Sequence, residues 1–135
     1  MAKQSGMAWT TASVDDSGGT VRAIVNDFTN LQFSTPRGVQ DITGLDKSAI
    51  ERLLLLAAFQ VTFNGVFNVT SNMSHDGFKT VPSTSVARTV TLTIAAKTLA
   101  CETLFSDYQL NRAQDGSFTF SAPGALADGA VPTWA

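Results

Sequence analysis

Residues 51–68 read "ERLLLLAAFQVTFNGVFN", four leucines in a row ahead of a stretch in which Phe59, Val61 and Phe63 alternate with Gln60, Thr62 and Asn64. Two local structures compete for it. "SAIE" at 48–51 is a capping box, and Ile50, Leu53, Leu54, Ala57 and Ala58 fall at helical spacing. Such a helix would also carry Leu55 and Leu56 on its other side, and would run into a period-two segment without a Gly or Pro stop. The balance predicts a strand over 54–67, buried on both faces at first and on one face later, after a single helical turn at 48–52.

The rest of the chain agrees with strands. Thr and Ser are abundant and Glu and Lys scarce, which favours pleated structure. Val21, Ala23 and Val25 alternate with Arg22, and Phe28, Leu31 and Phe33 lead to the "TPRG" turn at 35–38. "VQDIT" reads as a further strand. "SVARTVTLTIAA" sets Val86, Arg88, Val90, Leu92 and Ile94 against mostly Thr. In "LFSDYQLNRAQDGSFTFSA" the dipeptide Asp115-Gly116 predicts a hairpin turn with positive φ at both positions. Tyr108 and Leu110 then share a face, as do Phe118 and Phe120. "SNMSHDGFKTV" predicts a short helix with Ser71 or Asn72 as N-cap and Pro82 just beyond its end. The sum is six to eight strands with one or two short helices: a mainly β chain, a sandwich or small barrel of antiparallel strands.

A chain of 135 residues, 44% hydrophobic and 15% charged, suits one core. Residues 1–19 are polar, end in "DDSGG" and read as an N-terminal arm. Residues 20–135 read as the single β domain. The formal charge of −2 and the scatter of the basic residues give no footprint for a nucleic-acid reader. The longest apolar run, at 53–59, cannot cross a bilayer as a helix, and "MAKQSGMAW" lacks the apolar core of a secretory signal, so synthesis in a cytoplasm is expected.

Chemistry finds little purchase. His75 is the only histidine, and its neighbours Ser74 and Asp76 are adjacent along the chain, which does not by itself form a triad. His75 and Cys101 do not have a metal-ligand spacing, and a lone Cys101 reads as a buried thiol. No phosphate-binding glycine motif occurs. The expectation is a protein that is not an enzyme, with no catalytic residue, no metal and no cofactor, whose surface is its function.

The succession of a "VQDITGLD" strand and loop, a "FQVTFNGVFN" strand and a closing "DGSFTFSAPGAL" hairpin resembles the tail tube (major tail) proteins of long-tailed bacteriophages, over about residues 20–130. The resemblance implies a β-sandwich protomer flanked by a helix, hexameric rings stacked into a hollow tube, and an inner β-barrel that neighbouring protomers complete. It implies a place in the virion tail after synthesis in the host bacterium. The implied partners are copies of the chain, tape-measure and other tail proteins, and DNA that passes through the lumen without specific binding; no membrane is involved. On that reading Gln60, Thr62 and Asn64 face the lumen, and Trp9, Leu45, Asp46, Lys47 and Ile50 join successive rings, with residues 1–19 and 44–52 ordered only on assembly. The alternatives are another phage structural protein, for tail completion or capsid decoration, and a ligand-binding β-sandwich.

Overall fold

The structure is a computed structural model, and it describes residues 3–135. Ten strands and one short helix follow in order: β1 (Trp9–Asp15), β2 (Val21–Ala23), β3 (Phe28–Ser34), β4 (Arg37–Asp41), β5 (Arg52–Ala57), β6 (Gln60–Val66), α1 (Ser74–Phe78), β7 (Arg88–Ile94), β8 (Lys97–Phe105), β9 (Gln109–Arg112) and β10 (Phe118–Leu126). Eight of the strands form one antiparallel sheet in the order β2-β1-β7-β8-β10-β6-β3, with β9 paired to β10 off that path. β4 and β5 form a separate two-stranded ribbon. The large sheet curls back on itself. Trp9 of β1 meets Phe33 of β3 edge-on at 6.0 Å, although four strands separate β1 from β3 in the sheet order.

The enclosed face is lined by period-two residues, because alternate side chains of a strand point the same way. Val61 and Phe63 of β6, Val90 and Leu92 of β7, Leu99 and Cys101 of β8, and Phe120 and Ala122 of β10 are all buried. α1 closes one end by inserting Phe78 among Phe105, Phe120 and Tyr108, with ring centroids 5.3, 5.6 and 5.7 Å away. Two buried charged groups hold this end. Asp27 accepts from Asn68 Nδ2 at 2.8 Å and from the Ser74 amide at 3.0 Å. Arg88, 2% exposed, donates to the carbonyls of Gly77 and Asp15 and to Thr80 Oγ1, tying α1 and its following turn to β1. Burial lowers the Arg88 pKa from its ordinary value, opposed by the nearby negative charges of Asp16 and Asp15.

Several expectations need correction. The leucine run is not buried: Leu53, Leu54, Leu55 and Leu56 stand 41–90% exposed on β5. The single strand over 54–67 is two strands, broken at Ala58 and Phe59, and the helical turn expected at 48–52 is absent: Ser48 and Ala49 form a bend and Arg52 already belongs to β5. Propensity could not reveal this, because the ribbon's leucines have no partner within the chain. The middle of the expected arm, Trp9–Asp15, is β1, an interior strand bonded to both β2 and β7, with Ala12 and Val14 buried. Its small residues resemble a loop in composition yet fit a crowded interior. The N-cap of α1 is Met73, not Ser71 or Asn72; the Asn72 amide donates instead to the Asp76 carboxylate, at 2.8 Å.

The Asp115-Gly116 hairpin is present, with positive φ at Gly116 only. Gly116 N–H donates to the Ala113 carbonyl, and Ala113 N–H to the Ser117 carbonyl, so the loop spans three residues instead of two.

Candidate assembly surfaces

Two surfaces are unusual for a self-sufficient domain. The first is the outer face of the sheet at β3, β6, β10 and β9. Along β6, Val61 and Phe63 point inward, so Gln60, Thr62 and Asn64 point out. The register places Asn30, Gln32 and Ser34 of β3 opposite Asn64, Thr62 and Gln60. On the other side Ser121 of β10 lies opposite Asn64, and Gln109 and Asn111 of β9 lie opposite Ser121 and Thr119. Cross-strand partners share a face. The result is a four-strand surface of amides and hydroxyls with a few small or apolar side chains and no Lys, Arg, Asp or Glu directed outward. A shallow depression of about 320 Å³ lies between Asn30, Asn64, Asn111 and Ser121. Among the described residues, β3 pairs only with β6 and β9 only with β10, so both ends of this surface are open strand edges.

The sequence singled out Gln60, Thr62 and Asn64 but missed their companions on β3 and β9. The signal was present in "FTNLQFS" and "QLNR", where Asn30 and Gln32, and Gln109 and Asn111, repeat at two-residue spacing.

The second surface is the β4–β5 ribbon with its loop. Val39 faces Leu54 across the ribbon, and the register then shifts by one residue before Arg37 meets Ala57; Val39, Leu54 and Leu56 are 54, 56 and 90% exposed. Leu53 and Leu55 occupy the opposite side. The loop at 44–51 is held by polar contacts: the Thr43 amide and hydroxyl both donate to Asp41, the Glu51 amide donates to Thr43 Oγ1, and Lys47 and Glu51 form an exposed ion pair at 3.7 Å. These bonds from Thr43 hold the Asp41 carboxyl below its usual range. Leu45 and Ile50 project outward, as do Asp46 and Lys47. Trp9 is not with them; it is half-buried in the sandwich against Phe33.

The residues weighed for chemistry serve structure. His75 Nδ1 lies 3.3 Å from the Tyr108 hydroxyl, and its ring packs on Phe67. Ser74 Oγ donates to the Val66 carbonyl and not to His75. The Cys101 thiol is buried, and burial pushes its pKa up. Among the described residues no three His, Cys, Asp or Glu side chains converge as metal ligands, and no helix is long and apolar enough to cross a membrane.

No protein-family model matches the chain, and no curated protein matches it in sequence. Solved structures do. A protein of the tail of an empty gene transfer agent particle, determined with C6 helical symmetry, superposes with a TM-score of 0.77 at 15% identity, covering 98% of this chain and 99% of that one. A protein from the virion of a native gene transfer agent particle superposes with a TM-score of 0.75 at 12% identity over the same shares. At this identity the likeness is one of fold, and it extends over nearly the whole length of both chains, including β1. The chain therefore has the fold of a phage-like tail protein.

Proposed function

We propose that the chain is the structural subunit of a tail tube, assembling into hexameric rings that stack into a hollow conduit for DNA delivery. The observation that carries this reading is the uncharged polar surface of β3, β6, β10 and β9, backed by the core and bounded by two open edges. An open edge invites pairing with another chain, and joining the β3 edge of one copy to the β9 edge of the next removes both. Four strands from each of six copies, spaced about 4.8 Å apart, close a wall of about 115 Å circumference and about 37 Å diameter before strand tilt widens it. Such a bore clears a nucleic acid duplex. Gln60, Thr62 and Asn64, with Asn30, Gln32, Gln109 and Asn111, line it. Phosphate affinity rises with the number of basic contacts, so a lining of amides and hydroxyls lets DNA slide.

On this reading the protein resides in the virion tail, contacts tape-measure and other tail proteins, and has no enzymatic activity. Leu45, Asp46, Lys47, Ile50 and Trp9 lie at contacts between copies. The test is electron microscopy of the purified protein at high concentration, with native mass measurement. Tubes or stacked six-fold rings are expected. A uniform population of monomers overturns the proposal, and a closed oligomer that never stacks replaces it with a tail-completion role.

A further inference from the structure

The two open edges of the polar surface carry the same three residues in opposite order: Asn30, Leu31 and Gln32 on β3, and Gln109, Leu110 and Asn111 on β9. Each triplet turns its amides to the outer face and its leucine to the inner one, since Leu31 lies opposite the buried Phe63 and Leu110 opposite the buried Phe120. Leu110 is nevertheless 45% exposed, because among the described residues no strand pairs with the free side of β9. Beside Leu31, at the other edge, a groove of about 510 Å³ opens between β3 and β1, with Trp9, Val25, Phe28 and Ile94 in its walls and no charged side chain.

We infer that the two triplets zip together between copies in one register, Gln109 against Gln32, Leu110 against Leu31 and Asn111 against Asn30. The inference rests on the tube reading, which joins these edges, and adds the register and the residues that fix it. The pairings of β3 with β6, β6 with β10 and β10 with β9 are all antiparallel, so β9 runs opposite to β3. Copies related by rotation about a bore keep that sense, and an antiparallel join then sets the triplets like with like. Facing amides are complementary, because each carboxamide carries both donors and an acceptor, and Asn and Gln ladders use that match between strands. Leu110 meanwhile enters the groove beside Leu31 and loses its exposure. Other registers forfeit these contacts. A slip of one residue turns Leu110 into the bore and an amide into the groove. A slip of two residues one way sets Leu110 against Thr29, in the irregular stretch of β3, and leaves Leu31 uncovered. Two residues the other way set it against Phe33, which already packs on Trp9 and Trp134.

The experiment reads the register with cysteine pairs in a Cys101→Ser background: Gln109→Cys combined in turn with Gln32→Cys, Asn30→Cys and Ser34→Cys. Facing residues of an antiparallel pair hold their β carbons about 4.5–5.5 Å apart, whereas diagonal neighbours stand about 7–8 Å apart. Oxidation of assembled material should therefore give a ladder of linked chains on non-reducing gels for the Gln32→Cys combination, with at least tenfold less linkage in the other two. In parallel, Leu110→Asp should leave the melting temperature of the free protomer within a few degrees while assembly falls at least tenfold. Tubes that link more strongly through Asn30→Cys or Ser34→Cys, that link through none of the three, or that form normally with Leu110→Asp overturn the register and leave the tube reading standing. A Gln32→Cys ladder from an oligomer that is not tubular supports the register and removes the tube reading. Wild-type protein that never self-associates overturns both.

Discussion

Gly65 lies so close to Asp27 that a methyl group on its α carbon would stand 2.2 Å from the Asp27 carbonyl oxygen and 2.9 Å from the Phe120 ring. The approach is made by the irregularity in which Phe28 pairs with Gly65 and Asn30 with Asn64, leaving Thr29 bulged out of register. Gly65→Ala is expected to destabilise the protomer by about 3 kcal/mol, toward the upper range for overpacking, since the obstructing atom is backbone. Urea unfolding of the dissociated protein checks this; a loss within experimental error would mean the β3–β6 junction relaxes freely.

The two sides of β6 should respond differently. Phe63 is fully buried, stacked on Phe28 at 4.4 Å, and Phe63→Ala is expected to cost roughly 3–5 kcal/mol as a cavity substitution. Gln60→Ser and Asn64→Ser should each stay within about 0.5 kcal/mol, as surface changes do. Thermal melts measure both, and equal sensitivity of the two sets would contradict the assigned faces.

Those faces were legible because alternation depends on the strand alone. "QVTFNGV" and "RTVTLTI" declare an inner and an outer side whatever surrounds them, and Asp115-Gly116 marks its own turn. The leucines of β5 and the small residues of β1 were not legible, because their burial depends on partners elsewhere. Leu53 to Leu56 have no cover in the chain, while Ala12 and Val14 are covered by strands far away in sequence. The candidate surface was read in part for the same reason: β6 showed its three polar residues, and only the register of β3 and β9 added the others.

Removal of residues 2–17 should unfold the protomer. The deletion takes β1, strips the β7 edge of its partner and removes Ala12 and Val14 from the core. Loss of dispersed amide resonances in a proton spectrum is the expected result. A folded, stack-deficient protomer would restore the view of residues 1–19 as a detachable arm.

Arg88 should tolerate no substitution that leaves its acceptors unpaired. Arg88→Met removes donors from the Gly77 and Asp15 carbonyls and from Thr80, and is expected to cost about 3 kcal/mol, since each buried group left unsatisfied costs roughly 1–3 kcal/mol. Arg88→Lys should recover only part of this, because one ammonium cannot reproduce the planar spread of the guanidinium. Urea midpoints of the two variants make the comparison.

Burial pushes the Tyr108 pKa from 10.0 up to about 12. The unfolded chain therefore loses this proton first as pH rises. The stability contributed by the neutral phenol is complete below pH 10, declines between pH 10 and about 12, and is lost above that. Its size is of the order of 2 kcal/mol. Tyr108→Phe should flatten the fall in urea midpoint measured from pH 9 to 11.5, while the wild type and the variant keep a constant offset below pH 9. An identical slope in both would place the alkaline transition on other groups.

The pairing of β1 with β7 joins Thr10 to Thr93, 83 positions apart, whereas the β4–β5 ribbon closes over a short local loop. Loops of such different length close on different timescales, and sheets built on distant pairings form slowly. The ribbon thus forms early, whereas the apolar cleft between β1 and β3 requires Trp9 and Ile94 to meet beside β3, so it exists only after the first strand of the chain has found a strand from its last third. The pairing of β1 with β7 then sets the pace of folding, and refolding followed by tryptophan fluorescence should show a slow, concentration-independent phase as Trp9 enters its place beside Phe33.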